Sequence, residues 1–433
     1  MASQIKTTPY WWEFSAPRDP GGSVPRHVDV VVVGGGYAGL NAALTLRRGG
    51  ASVAVLEARD FGHGASTRNA GHVSSGVNLG KGSSSAVRSP MERSLSPAAL
   101  QAVREEAAAS FDFLEARVAE LPQGALYHRS GRFVGAVSAR HFAGLQDKAD
   151  RLGARIVTRA GQREEIGTDH YHGGMVIERS GQLHPGRYLH GLADLAQAEG
   201  ALLCAQCPAI AITRSLGGWT VMTPQGPIAC GRVIIATNGY SGPLLPWLRR
   251  RIIPAASYIV VTKALPEGMM DRLLPTRRTI ADTKRLLNYY RPTPDGQRLL
   301  FGGRATLRAQ DPARIATELM GRLGRIFPEI ADVGIDYAWT GTIAFTFDFM
   351  PHLGEHDGIV HALGCNGSGV AMMSFLGHRA AQAVLGEGAS AFWNLRFPTV
   401  PLYRETPWFL PMMSGYQRGM DWLEAWRGCG RRG

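Results

Sequence analysis

Residues 30 to 60 read VVVVGGGYAGLNAALTLRRGGASVAVLEARD, and this stretch decides the fold. Four β-branched residues, Val30 to Val33, run directly into Gly34, Gly35 and Gly36. Leu40, Ala43 and Leu44 then recur at helical spacing, and a second apolar run, Val53 to Leu56, ends at Glu57. The order is strand, tight turn, helix, strand, with an acid at the tip of the second strand. In Gly34-x-Gly36-x-x-Gly39 the first glycine permits the turn, the second lets backbone approach a pyrophosphate, and the third lets helix and sheet pack closely. The helix N-terminus offers free N–H groups and a positive dipole end to phosphates. Glu57, 18 residues beyond Gly39, stands where an acid accepts hydrogen bonds from ribose hydroxyls. The spacing predicts a dinucleotide site in an α/β protein.

The other bulk properties narrow the class. A chain of 433 residues is long enough for two domains. No apolar run approaches the roughly 18 residues of a membrane-spanning helix. The opening MASQIKTTPYWWEFSAPRDPGG lacks a basic-then-apolar leader pattern, so a cytoplasmic location is expected. The net charge of +12 comes from 42 arginines and 5 lysines spread along the chain, not gathered into a nucleic-acid-binding patch. Five cysteines in a chain this long are not a disulfide framework, and Cys204-x-x-Cys207, on an apparent strand, reads as core. The 13 histidines form no zinc motif, and no metal is expected.

Further along, the arm from Thr8 to Arg26 is rich in proline, glycine and aromatics and is expected to wrap a surface. Ser96 and Pro97 make an N-cap and first turn for a helix whose apolar face includes Val103, Phe111 and Leu114. Strands are expected at GRFVGAV, ALLCAQ, GWTVMT, GRVIIATNGY, YIVVT, RLLNYY and RLLFGG, and helices at ARHFAGLQDKADRLG, after SGQLHPGR, and at DPARIATELMGRLGRIFP. HALGCNGSGVAMMSFLGHRAAQAVLG repeats strand, glycine turn and long helix near the end. Its Gly364-x-x-Gly367-x-Gly369 lacks the first turn's spacing, so there is one dinucleotide fingerprint.

Taken together, GGGYAGL, GASTRNAGH, HPGRYLHGLA, IIATNGY, WTGTIAFTFDFMP and GCNGSGV resemble the FAD-dependent amine oxidases of the D-amino-acid oxidase superfamily. YWWEFSAPRDP and PWFLPM…GYQRGMDWLEAWR look most like its γ-glutamylputrescine oxidase branch. The resemblance implies a Rossmann-like FAD-binding domain with a second, antiparallel-sheet substrate domain. FAD-binding segments are expected at 28–90, 151–245 and 339–390, and substrate-domain segments at 91–150 and 246–338. An arm (1–27) and a tail (391–433) flank them.

For FAD, the resemblance assigns Gly34, Gly36, Tyr37, Ala38 and Gly39 to the pyrophosphate and Glu57, Ala58 and Arg59 to the ribose side. Ala65, Ser66, Arg68, Asn69, Ala70, Gly71 and His72 line the approach to the flavin. Ala209, expected on a strand, touches adenine, and Thr237, Asn238 and Gly239 close over the cofactor. Gly367, Ser368, Gly369 and Val370 bring a helix N-terminus to the flavin edge that becomes negative on reduction. No cysteine aligns near Gly341, so the flavin is expected to be non-covalent.

The implied reaction is oxidation of a C–N bond of a small-molecule amine, with dioxygen or another acceptor taking the electrons. Where relatives carry a carboxylate-clamping arginine or lysine, this chain has Ala344 and Ala371, which points to a larger amine whose anionic group lies further off. Arg304 is a candidate for that distal contact. The lysine that assists oxygen in some relatives is replaced by Leu300, with Lys284 nearby. His72, Tyr289 and His352 are the remaining candidates at the reacting centre. Of the pair Tyr289–Tyr290, one should face the pocket and the other the opposite side. Trp339 reads as packing. The tail from Tyr403, with Trp408, Trp422 and Trp426 among arginines, is expected to dock on the chain's own surface. Two rival readings remain: a D-amino-acid or sarcosine-type dehydrogenase, and a non-catalytic flavoprotein subunit.

Overall fold

The computed structural model describes residues 5–74, 76, 94–122, 124–284, 287–303, 310–388, 390–401 and 403. Arg304 and the tail from 404 onward lie outside them. The chain is an α/β protein built on two eight-stranded sheets and a small two-stranded one.

The first sheet runs in the order His352–His356, Ile359–Leu363, Gly226–Ile235, His27–Val33, Val53–Leu56, Leu202–Cys204, with Gly218–Thr223 pairing antiparallel to Gly226–Ile235 off this path and Ala211–Ser215 to Gly218–Thr223. In that order, the five strands after His352–His356 are parallel to one another, as the strand–turn–helix–strand opening requires. The run Val30 to Val33 is buried on both faces because the sheet is covered on both sides. Val30 and Val32 pack under the helices Tyr37–Arg48, Pro185–Ala198 and Gly369–Leu385, while Val31 and Val33 pack against Trp219, Ile228 and Leu248. Ser96 caps the helix Pro97–Ala119 as expected, accepting from the Ala99 N–H at 3.2 Å.

The second sheet runs Ile335–Phe345, Ile253–Thr262, Leu299–Gly303, Asn288–Pro292, Thr279–Asp282, Arg132–Gly135, Gly174–Ile177, Arg155–Val157. It is antiparallel except where Thr279–Asp282 pairs with Arg132–Gly135, a parallel contact between strands far apart in sequence. Two expected boundaries move. Arg155–Val157 and Gly174–Ile177, placed with the FAD-binding segments, pair with each other and with Arg132–Gly135 in the second sheet. Trp339 and the rest of WTGTIAF, placed likewise, belong to a strand that pairs along the length of Ile253–Thr262.

One face of this sheet, with Tyr258, Val260, Tyr290 and Phe301, is covered by the helix Pro312–Ile326. The other, with Ile259, Val261, Leu300, Tyr337 and Trp339, receives Tyr10 and Trp11 of the N-terminal arm. Cys204, Cys207 and Cys230 are buried free thiols; Cys204 ends a strand and Cys207 lies beyond it. Among the described residues, no helix is long and apolar enough to cross a membrane.

Candidate functional site

Because the central strands of the first sheet are parallel, their carboxyl ends open into one crevice, where open α/β sheets take their ligands. Val33 leads into Gly34–Gly36, Leu56 into Glu57, Ile235 toward Thr237–Gly239, and Leu363 into Gly364–Gly369. Gly34 is in the left-handed region (φ +111°), and a Cβ there would lie 2.8 Å from the Ala236 carbonyl oxygen. A Cβ at Gly39 would lie 1.9 Å from the Gly34 carbonyl oxygen, so only glycine lets the helix start this close to the turn.

The N-cap of the helix Tyr37–Arg48, Gly36, supplies no side-chain cap, and of the first-turn N–H groups that of Tyr37 bonds Ser66 Oγ. The glycine N-cap suits a helix start that takes an anion. Glu57 sits at the strand tip with one carboxylate oxygen accepting from the Gly35 N–H at 3.0 Å and the other from the Arg59 N–H at 3.2 Å. Burial pushes its carboxyl above the usual range, against the pull of these backbone donors. The turn, the glycine N-cap and the partly desolvated carboxylate fit the pyrophosphate and ribose of a dinucleotide. Ala58 and Arg59 are exposed beside them.

The segment Gly64–Gly71 crosses this crevice and is fixed from several sides. Ser66 Oγ accepts from the Tyr37 N–H at 3.2 Å, and the Tyr37 hydroxyl donates to the Ser66 carbonyl. Asn69 bonds within the loop, donating to the Ala65 and Ser66 carbonyls and accepting from the Gly71 N–H at 2.8 Å. Arg68 donates to the His63 carbonyl at 2.8 Å and the Thr340 carbonyl at 3.1 Å.

Three indoles complete the clamp. Trp11 donates to the Asn69 carbonyl (2.8 Å), Trp12 to Thr67 Oγ1 (2.9 Å) and Trp339 to the Arg68 carbonyl (2.9 Å). Ala70 is buried in the cluster around Trp11. The sequence reading gave Trp11 and Trp12 only a wrapping role; the aromatic arm was visible, but its target was not.

The far side of the crevice is held by two asparagines with left-handed backbones, Asn238 (φ +45°) and Asn366 (φ +47°). Asn238 Oδ1 accepts from the Gly364 and Cys365 N–H groups at 3.0 and 3.2 Å. Asn366, which the sequence reading passed over, accepts from the Thr346 N–H at 3.0 Å and donates to the Gly364 carbonyl at 2.7 Å. Together they shape the turn through Gly367 and Ser368 into the helix Gly369–Leu385, whose N-terminal N–H groups are not capped by the Ser368 side chain. Ala209 is not on a strand; it lies in the irregular stretch between Leu202–Cys204 and Ala211–Ser215, half-buried against the core.

Tyr289 and Tyr290 separate as alternation requires. Tyr290 is fully buried against the helix-covered side and shares a hydrogen bond with Tyr171 (2.9 Å). Tyr289 lies on the other face, 3.1 Å from Ser257 Oγ and edge-on to His72 with ring centroids 5.7 Å apart. His72 opens the strand His72–Ser74, which pairs with Ser180–Gln182. Arg291, two residues beyond Tyr289, is 2% exposed and donates to the Ala70, Leu183 and Pro292 carbonyls. His352 is 1% exposed, stacked on Phe397 at 3.7 Å with Nε2 3.1 Å from Asp348, so its ring does not open onto the Tyr289 face. Ala344 is fully buried against the first sheet, and Ala371 is 2% exposed inside the last helix. Neither alanine marks a vacated carboxylate contact on that face.

A glycine turn, acid and helix N-terminus at the carboxyl ends of a parallel sheet, with an aromatic second sheet beside them, define a dinucleotide-dependent oxidoreductase architecture. The chain belongs to the DAO family, FAD dependent oxidoreductases, which it matches over residues 29–383. It is 31% identical over 405 residues to the probable oxidoreductase OrdL of Rhizobium meliloti (90% of this chain, 92% of that one). It is also 31% identical over 377 residues to the γ-glutamylputrescine oxidoreductase of Escherichia coli (85% and 86%). In fold it is similar to glycine oxidase from Geobacillus kaustophilus, with a TM-score of 0.70 at 22% identity over 87% of this chain and 99% of that one. FAD is therefore its cofactor, and the protein is an oxidoreductase of amine or amino-acid-like substrates that needs an electron acceptor.

Proposed function

We propose that this enzyme oxidises a C–N bond of a larger amine, of the γ-glutamylated or otherwise N-substituted kind. The observation that carries the reading is the pairing of the crevice with the Tyr289–His72 face. The 31% identity to a γ-glutamylputrescine oxidoreductase supports the substrate class.

In this reading the turn Gly34–Gly39, with Tyr37 and Ala38, holds the pyrophosphate, and Glu57 with Ala58 and Arg59 holds the adenosine ribose. Ala209 borders the adenine. Ala65, Ser66, Arg68, Asn69, Ala70 and Gly71 carry the flavin side, closed by Thr237, Asn238 and Gly239. Gly367, Ser368, Gly369 and Val370 direct N–H groups at the edge that gains negative charge. Bound there, FAD would supply a hydride acceptor for the carbon beside the amine nitrogen, with the nitrogen's proton passing to solvent and water hydrolysing the resulting imine to a carbonyl compound and a smaller amine. The chain's share is to bind the neutral amine against Tyr289 and His72, aim its C–H bond and keep water out. Dioxygen or another acceptor takes the two electrons.

The test is the visible spectrum of the purified protein under anaerobic addition of amines. Bleaching by γ-glutamylputrescine or related N-substituted amines supports the reading. Bleaching by glycine, sarcosine or D-amino acids alone replaces it with an amino-acid oxidoreductase, and bleaching by no amine at all overturns it.

A further inference from the structure

Among the described residues, Arg132 has no acidic partner. It opens the strand Arg132–Gly135, and its Nε is buried without a hydrogen-bond partner. Burial pulls its guanidinium down from the usual arginine range to about 10. Arg278 meets Glu165 and Glu178 and Arg298 meets Asp336, while Arg68 and Arg291 donate to backbone carbonyls. Leaving a guanidinium unmatched in a partly desolvated position costs folding free energy. Such a cost is characteristic of functional sites.

Its position says which site. Val134 pairs with Ala281, and Ala281 with Tyr289, so these three share one face of the second sheet. Arg132, two residues before Val134, projects from that same face. Two strand spacings and two residues put its Cα roughly 12 Å from that of Tyr289. That is too far for the carboxylate of a small α-amino acid reacting beside Tyr289, and within reach of a carboxylate several bonds away from the reacting nitrogen.

We propose that Arg132 binds the distal carboxylate of the substrate and so selects anionic, extended amines over neutral ones. This rests on the amine-oxidising function proposed above. A guanidinium–carboxylate pair in a partly dry position is charge-assisted and can be bidentate, so it discriminates by charge and geometry together.

The test compares γ-glutamylputrescine with N-acetylputrescine, which shares the oxidised amine but has a shorter acyl group and no carboxylate, in anaerobic bleaching of the holoenzyme. Removing an unpaired buried cation leaves folding intact, so Arg132→Met is usable. It should raise the concentration for half-maximal bleaching by γ-glutamylputrescine roughly 10- to 100-fold. The limiting rate and the response to N-acetylputrescine should stay unchanged, and Arg132→Lys should recover part of the loss. Equal effects on the two amines, no effect on either, or the same selective loss in Arg304→Met but not in Arg132→Met would overturn the proposal.

A second readout does not need turnover: glutarate should raise the thermal midpoint of the wild-type holoenzyme and not that of Arg132→Met. An equal glutarate shift in both proteins overturns the anion site. If no amine bleaches the wild type, the proposed function fails, while the glutarate comparison still decides the role of Arg132.

Discussion

Gly377 of the last helix lies directly on Ala38 of the first, so close that a Cβ at position 377 would stand 2.0 Å from the Ala38 carbonyl oxygen. The two helices that start at the crevice, Tyr37–Arg48 and Gly369–Leu385, are thus locked at one crossing point. Gly377→Ala must push them apart, because the opposing atom is backbone and cannot rotate away. Overpacking of this kind costs about 1–3 kcal/mol. It also shifts both helix starts, so the thermal midpoint and the flavin content after purification should fall together. Gly321, with open space around its Cβ position, is the control. Ala there should be neutral or stabilise its helix by about 0.5–1 kcal/mol. A Gly377→Ala protein with normal midpoint and flavin content would show that the helices tolerate separation.

Three indoles clamp the segment Gly64–Gly71, proposed above to line the flavin. Trp11 and Trp339 donate to adjacent carbonyls, of Asn69 and Arg68, from positions far apart in the chain. Trp→Phe at either place keeps most of the ring and leaves a carbonyl short of a donor, a loss of about 1 kcal/mol or more. If both indoles restrain one loop, the double variant should weaken FAD binding by less than the product of the two single effects, because the loop is already released. Flavin fluorescence titration of the apoproteins gives the cycle. Strict additivity would mean that the two bonds act independently.

Much of this architecture was legible because its signals are local. Val30–Val33, the glycine spacing and Glu57 lie within one βαβ unit, and Ser96–Pro97 announces its own helix. What sequence could not reveal is non-local. The parallel pairing of Thr279–Asp282 with Arg132–Gly135 joins strands distant in the chain, and it alone puts Arg132 on the face of Tyr289. Ala344 read as a vacated substrate contact because side-chain direction depends on register; one step along a strand turns a residue to the other face. Trp11 and Asn366 went unread as site residues for a related cause. Their partners are backbone groups, which no side-chain pattern displays.

His184 predicts the acid limb of stability. It caps the helix Pro185–Ala198, its Nδ1 accepting from the Arg187 N–H at 3.1 Å while its ring packs 5.0 Å from Trp11. Burial, then Arg187 and Arg291, push its pKa down to about 3. The folded state holds the neutral ring, whereas the unfolded chain takes up a proton near pH 6.5. Stability is therefore full above about pH 6.5 and falls as the pH drops toward 3, by about 2 kcal/mol at pH 5 from this group. Asn caps helices and does not titrate. His184→Asn should be less stable at pH 8, having lost the ring packing, yet lose less between pH 8 and pH 5 than wild type. Thermal midpoints at the two values check this; parallel losses would place the acid sensitivity in other groups.

Glu57 uses one carboxylate oxygen for the Gly35 N–H and the other for the Arg59 N–H. A carboxylate can accept at both oxygens and keep lone pairs for ribose hydroxyls, whereas an amide has one acceptor and must aim its NH2 at one of these donors. Glu57→Gln therefore loses a backbone bond and part of the ribose contact at once. FAD affinity should fall roughly 10- to 100-fold, the size expected for charge-assisted hydrogen bonds. With Glu57 at the adenosine end, as proposed, the rate of flavin bleaching by substrate, measured at saturating FAD, should stay near that of wild type. The apoprotein midpoint should move little compared with the holoprotein midpoint, which separates a binding defect from a folding one. A variant that keeps its FAD affinity and loses its bleaching rate would move Glu57 from the adenosine end of the site to the reacting one.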